Sequence, residues 1–177
     1  MHNEIRIGSV ETDRLGTIWL AFSARGLVCV EFSVSRRGFE ATVKKLIQEA
    51  HIIEDGGSEP LAGALRQMAD YACGERRRFE IAIDWSSIRS EFNRRSLQAV
   101  VRIPYGQTRT YGQVAAQIGA PGAARAMGRA NATNPMPLVI PCHRVLGSDG
   151  KLHGYGGAGG LKTKRWLLDM EHARLDT

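Results

Sequence analysis

Cysteine is scarce in this chain, with three in 177 residues, at positions 29, 73 and 142. An odd number at such wide spacing argues against a disulfide framework, and no pair has the spacing of a CxxC metal ligand set. Cys29 in LVCVEF and Cys73 in MADYACGE read as small buried hydrophobes. Neither stands at zinc-ligand spacing from His2 or His51, so no metal site is expected. Long apolar runs are missing too. None approaches the roughly 20 residues of a membrane span, and the N-terminal MHNEIRIGSV has no signal-peptide core. The expectation is a cytoplasmic protein with no membrane partner. Acid is scarce in one half only. Residues 1–90 hold 12 Lys and Arg against 13 Asp and Glu, whereas residues 91–177 hold 12 against 5. Such a basic excess suits a polyanion such as nucleic acid, or a solvated basic face.

What is present is enough apolar material, 43% of residues, for one good core or two small ones. EIRIGSV, GTIWLAFS and GLVCVEFS are partly alternating runs separated by Gly, Asp and Ser, a pattern for a strand meander. GFEATVKKLIQEA spaces Phe39, Val43, Leu46 and Ile47 as a helix does. EPLAGALRQMADYACGE predicts a second helix from Pro60 to Gly74, and RRFEIAIDW a further strand. The fold class expected is α+β: a small N-terminal α/β domain with antiparallel strands over 1–86, then a mostly helical domain over 90–177.

In that second half, SEFNRRSLQAVVRIPYG puts Phe92, Leu97, Val100 and Val101 roughly on one helix face. TYGQVAAQIG predicts a short helix capped by Thr110, and AARAMGRAN another closing at Asn131, across the turn APG. Together they form a helix-turn-helix candidate, a weak signal alone. The run YGGAGG, Tyr155 to Gly160, has four glycines in six residues. It lacks the Lys-Ser/Thr ending of a P-loop and reads as a loop that approaches a ligand with its backbone, or as a plain connection. LKTKRWLLDMEHARL closes the chain as an amphipathic helix offering Leu161, Trp166, Leu167 and Met170 to the core.

The unusual stretch is NPMPLVIPCHRV, Asn134 to Val145, with Cys142 between Pro141 and His143. A thiol attacks as thiolate, so it needs a base or a positive field. Adjacent side chains on an extended segment point apart, so either the chain turns sharply at Cys142 or a water relays the proton to His143. The imidazole needs an orienting acceptor, for which Glu171 is better placed than Asp169. On residue pattern alone, Glu171 reads equally as an ordinary surface carboxylate, and a Cys-His dipeptide as an accident.

IPYGQTRTYGQVA, AARAMGRANATNPMPLVIPCHRV and GYGG…KRWLLDME resemble, in order and over about residues 88–173, the O6-alkylguanine-DNA alkyltransferases, or methylated-DNA-protein-cysteine methyltransferases. The resemblance implies irreversible transfer of an alkyl group from O6 of guanine, with O4 of thymine as a second candidate site, in double-stranded DNA to Cys142. It makes His143 the water-mediated base, Glu171 its orienting partner and Asn134 the brace of the Cys142 segment. The two short helices become a minor-groove helix-turn-helix in which Arg125 enters the base stack, Tyr111 helps rotate the nucleotide out, and Gly128 allows close approach. Pro137 walls the base, the carbonyls of Cys142 and Val145 accept its amino group, and Tyr155 and the Gly156 N–H lie near O6. Arg144 matches a residue that ties the two domains together. No cofactor is implied, and the protein is expected to act as a monomer. GGAGGLKT, residues 156–163, is two residues longer than the family's usual spacing, which implies a looser loop over the pocket.

Three alternatives predict different behaviour. A non-repairing sensor of alkylated DNA would lack the acceptor cysteine. A Cys-His hydrolase would regenerate its thiol and need an oxyanion hole. A transcription regulator would bind a specific duplex sequence tightly, where a lesion searcher binds most DNA weakly and salt-dependently.

Overall fold

Short turns and period-two alternation let the first thirty residues pair locally, and the computed structural model, which describes residues 3–55 and 57–173, shows a meander there. Strands β1 (Asn3–Thr12), β2 (Gly16–Ser23) and β3 (Gly26–Phe32) are antiparallel neighbours. A fourth strand, β4 (Ala50–Glu54), adds to β1 in parallel, giving the order β3-β2-β1-β4. The sheet is therefore mixed, not wholly antiparallel. The helical pattern expected to run through residue 50 ends sooner: α1 (Arg36–Leu46) stops where Ile47 becomes extended. Nothing local signals the pairing of Ile5 with Ile52, because the partners lie far apart in the chain.

Helix α1 lays Phe39 and Val43 over Ile5, Ile7, Trp19, Ala21, Val28 and Cys29, with Phe39 stacked on Trp19 at 5.7 Å. Each large apolar side chain buried this way contributes about 1.5–3 kcal/mol. Helix α2 (Leu61–Ala72) buries Leu61, Ala64, Leu65, Met68 and Tyr71, the stripe its periodicity predicts. Two expectations need correction. Cys29 is buried, but Cys73 is exposed at the C-cap of α2. The RRFEIAIDW segment is not a strand: only Ile83 bridges to Leu27, and Phe79 packs instead on Tyr71 at 5.0 Å.

The chain divides into two compact units, Met1–Ser87 and Ile88–Thr177. The second contains α3 (Glu91–Val101), β5 (Arg109–Thr110), α4 (Tyr111–Gln117), α5 (Ala124–Ala132), β6 (Val145–Leu146) and α6 (Gly160–Met170). Ser90 caps α3, which buries Ser96, Leu97, Ala99 and Val100; Val101 turns outward. Helix α4 opens on a full capping box, with Thr110 Oγ1 accepting from the Gln113 N–H at 3.1 Å and Gln113 Oε1 from the Thr110 N–H at 2.7 Å. Helix α6 departs from its expected face. Lys164, Leu167 and Leu168 are buried, Trp166 and Met170 are half-buried, and Leu161 is exposed. Among the described residues, no helix is long and apolar enough to cross a membrane.

Candidate active site

Residues 134–146 wind through the second unit without regular structure until Cys142–Arg144 closes as one 3₁₀ turn. The turn follows from its hydrogen bonds: the Cys142 N–H donates to Ile140 O at 2.7 Å and the Arg144 N–H to Pro141 O at 2.9 Å. The chain does turn sharply at the cysteine. Asn134 spans the approach, its Nδ2 donating to Ile140 O at 2.9 Å and its Oδ1 accepting from the Met136 N–H at 3.0 Å. Between these anchors Leu138 is held at φ 73°, a left-handed conformation costly for a branched residue and maintained here by burial. Beyond the turn, β6 pairs in parallel with β5, Val145 opposite Arg109 and Leu146 opposite Thr110. That pairing sets Tyr111, the first residue of α4, near Cys142.

His143 and Glu171 meet in the interior. His143 Nε2 lies 3.0 Å from Glu171 Oε1, with neither side chain exposed. Glu171 is the C-cap of α6 and so is held by that helix. Arg144 grips the same carboxylate with two parallel bonds, Nε to Oε2 and Nη2 to Oε1, both 2.8 Å, while its Nη1 donates to Ile103 O at 2.6 Å. The Gly106 N–H adds a fourth bond to Oε2 at 3.3 Å. Burial alone would raise the Glu171 pKa, but the hydrogen bonds from His143 and Arg144 outweigh it, and the carboxyl stays ionised well below the usual range. Burial also lowers the His143 pKa against the pull of Glu171, so the imidazole is neutral at pH 7. The Cys142 thiol is pushed up by burial, and Asn134 and Lys164 act against that rise. Arg144 thus orders Glu171.

Cys142 opens on a cavity of about 810 Å³. Of the residues singled out by sequence, Tyr111, Arg125, Gly128, Tyr155 and Gly156 line it with Cys142. Arg125 is exposed. Pro137 and Val145 are buried but are not among the lining residues, and His143, Glu171 and Asn134 stand behind the wall. The loop carrying Tyr155 lies directly on α5: a Cβ on Gly156 would come 2.9 Å from Ala132 O. Less of that loop is free than its glycine content suggests, because α6 begins at Gly160, with Gly159 at φ 77° as its N-cap.

Two site residues escape the sequence. Lys164 is fully buried, its ammonium donating to Val145 O at 2.7 Å and His153 O at 3.0 Å, and burial lowers its pKa to about 8. It ties the segment after Cys142 to the loop before Tyr155. Asn131 lines the cavity from α5. The only available signals were Lys164 falling among apolar helix positions and Asn131 lying three residues after Gly128. No cluster of His, Cys, Asp or Glu among the described residues could hold a metal ion.

A buried thiol lining an open cavity, next in sequence to a buried imidazole–carboxylate pair, is the arrangement expected of a cysteine that reacts with a bound group. Residues 91–173 match the family model described as 6-O-methylguanine DNA methyltransferase, DNA binding domain. A methylated-DNA–protein-cysteine methyltransferase from Mycolicibacterium paratuberculosis is 54% identical over 110 residues, 62% of this chain and 64% of the relative, so that match spans just under two thirds of the relative's length. One from Methanosarcina acetivorans is 38% identical over 157 residues, 89% of this chain and 92% of the relative. The crystal structure of Mycobacterium tuberculosis OGT in complex with DNA is similar at a TM-score of 0.76 and 38% identity, covering 96% of this chain and 92% of that one. The chain belongs to the methylated-DNA–protein-cysteine methyltransferase family.

Proposed function

We propose that Cys142 is the alkyl acceptor of a DNA repair reaction in which the damaged nucleotide is rotated out of the duplex into the 810 Å³ cavity. The reaction is that of the family: direct transfer of an alkyl group from O6 of guanine in DNA to a cysteine of the protein. The observation that carries the assignment is the cavity-lining thiol backed by the His143–Glu171 pair, sealed 3.0 Å apart.

With Nε2 committed to Glu171, His143 Nδ1 takes the Cys142 proton through a water, as general-base geometry permits. The thiolate attacks the saturated carbon; the S–C bond forms as the C–O6 bond breaks, and the electron pair goes to the guanine, which then takes a proton. Glu171 stabilises the imidazolium, and Arg144 keeps Glu171 ionised. Tyr155, with its hydroxyl buried, and Tyr111 are the candidate donors to the leaving base. The product is a thioether, which gives water no carbonyl to attack, so the protein is consumed in one turnover. The thiol is both nucleophile and acceptor, so the transfer needs no cofactor, and a reducing cytoplasm would keep it reduced.

Helices α4 and α5 act as a helix-turn-helix on the minor groove, with Arg125 filling the gap left by the extruded nucleotide and Asn134 bracing the acceptor segment. The test is intact-protein mass after incubation with an O6-methylguanine duplex, with peptide mapping. A gain of about one methylene-equivalent, on the Cys142 peptide and saturating at one per chain, is expected. Unchanged mass with DNA bound would make the protein a sensor, and a regenerated thiol would make it a hydrolase.

A further inference from the structure

Helix α5 presents to the cavity a group that the transfer chemistry does not use. Ala124, Gly128 and Asn131 follow one another at intervals of four and three, and all line the cavity. Asn131 is 6% exposed, and neither its Nδ2 nor its Oδ1 has a hydrogen-bond partner among the described residues. Native folds rarely retain a buried amide in that state away from a functional site. The Tyr111 phenol stands beside it, and its ring lies over Gly128, where an added Cβ would be 4.0 Å from Cε1. The phenol lies within interaction range of Asn131 and 3.5 Å from His153 O, so Tyr111 and the amide face the cavity side by side.

We propose that Asn131 reads the polar edge of the extruded base, Nδ2 donating to a ring nitrogen and Oδ1 accepting from the exocyclic amino group. This rests on the alkyl-transfer reading of the cavity. An amide offers a donor and an acceptor side by side. O6-alkylguanine has lost its N1 proton, so it presents acceptor nitrogens on either side of its 2-amino donor, which complements the amide. O4-alkylthymine presents only acceptors on the corresponding edge and leaves Oδ1 unpaired. Asn131 is accordingly a determinant of guanine over thymine.

The experiment is a coupling measurement. Single-turnover transfer rates are taken for the full chain and for Asn131→Leu on duplexes carrying O6-methylguanine or O6-methylhypoxanthine, which lacks only the 2-amino group. Deleting the amino group should slow the parent by about tenfold more than it slows the variant, the scale of one buried hydrogen bond. Because Leu removes an unpaired amide, the melting temperature should not fall. Equal losses in both proteins overturn the proposal, as does a lowered melting temperature with equal losses, which would mean that the amide serves the fold. Asn131→Ala repeats the comparison if the Leu variant does not fold. A parent that transfers no alkyl group from either duplex sinks the alkyl-transfer reading, and this inference with it; a parent that transfers without coupling sinks only this inference.

Discussion

Glu171 Oε1 accepts from both His143 Nε2, at 3.0 Å, and Arg144 Nη2, at 2.8 Å, so one buried oxygen holds the proposed base and its neighbouring cation together. The arrangement makes the site and the fold depend on the same carboxylate. Glu171→Gln would leave Arg144 buried without its counter-charge and should cost about 3–5 kcal/mol in urea unfolding. The loss should be felt mainly near neutral pH. The Glu171 pKa is depressed from 4.5 in the folded state, so its stabilisation is present above that value and is lost as pH falls toward the folded value. The variant should therefore show a shallower stability slope below pH 4.5, and an unchanged slope would contradict the ion pair.

The acid limb of the single-turnover rate should lie below 6.5, the ordinary histidine value, because burial keeps His143 neutral further into acid. A stopped-flow or quench series from pH 4.5 to 8 measures it. A limb above 6.5 would exclude His143, as placed, from the role of base.

Lys164→Met tests the buried ammonium. The folded pKa is lowered from 10.5 to about 8, so the unfolded chain binds more protons between those values and stability rises with pH across that window. The difference in stability between parent and variant should carry this slope, whereas tyrosine titration, common to both, cancels. A flat difference between pH 8 and 10.5 would place the lysine in water.

Gly156→Ala forces a methyl group to within 2.9 Å of Ala132 O, so the loop must lift from α5. Transfer from duplex DNA should slow by about tenfold or more, since small misplacements at a reacting centre are costly. Thermal stability should fall little, because residue 156 is exposed. Unimpaired transfer would show that the loop's seat on α5 is irrelevant to the reaction.

Much of the fold was legible because its signals are local. The strands β1 to β3 declare themselves by alternation and short turns, α4 by Thr110 and Gln113, α2 by its apolar stripe. Strand β4 was not, since parallel pairing over some forty-five residues leaves no trace in its own five. Residues 77–85 have a strand's composition, yet they form a single bridge, Ile83 opposite Leu27, and no strand. On α6 periodicity assigned Leu161 to the core and overlooked Lys164. Carbonyls contributed by Val145 and His153 reverse that choice by giving the ammonium better partners than water-exposed positions would need.

By itself the sequence singled out the segment Asn134 to Val145 by its prolines and its Cys-His-Arg run, and left open whether the chain turns at Cys142, which the 3₁₀ turn over Cys142–Arg144 decides. It also determined which helices form and where they begin. Tertiary structure alone decided what the buried groups do: that Arg144 serves Glu171, that Lys164 joins two loops, and that Asn131 faces the cavity with its amide unpaired. The physical reason is range. Propensity, capping and turn chemistry act over a few residues, whereas burial, desolvation and hydrogen-bond satisfaction depend on whatever distant segment covers the group, and that is fixed only when the chain has folded.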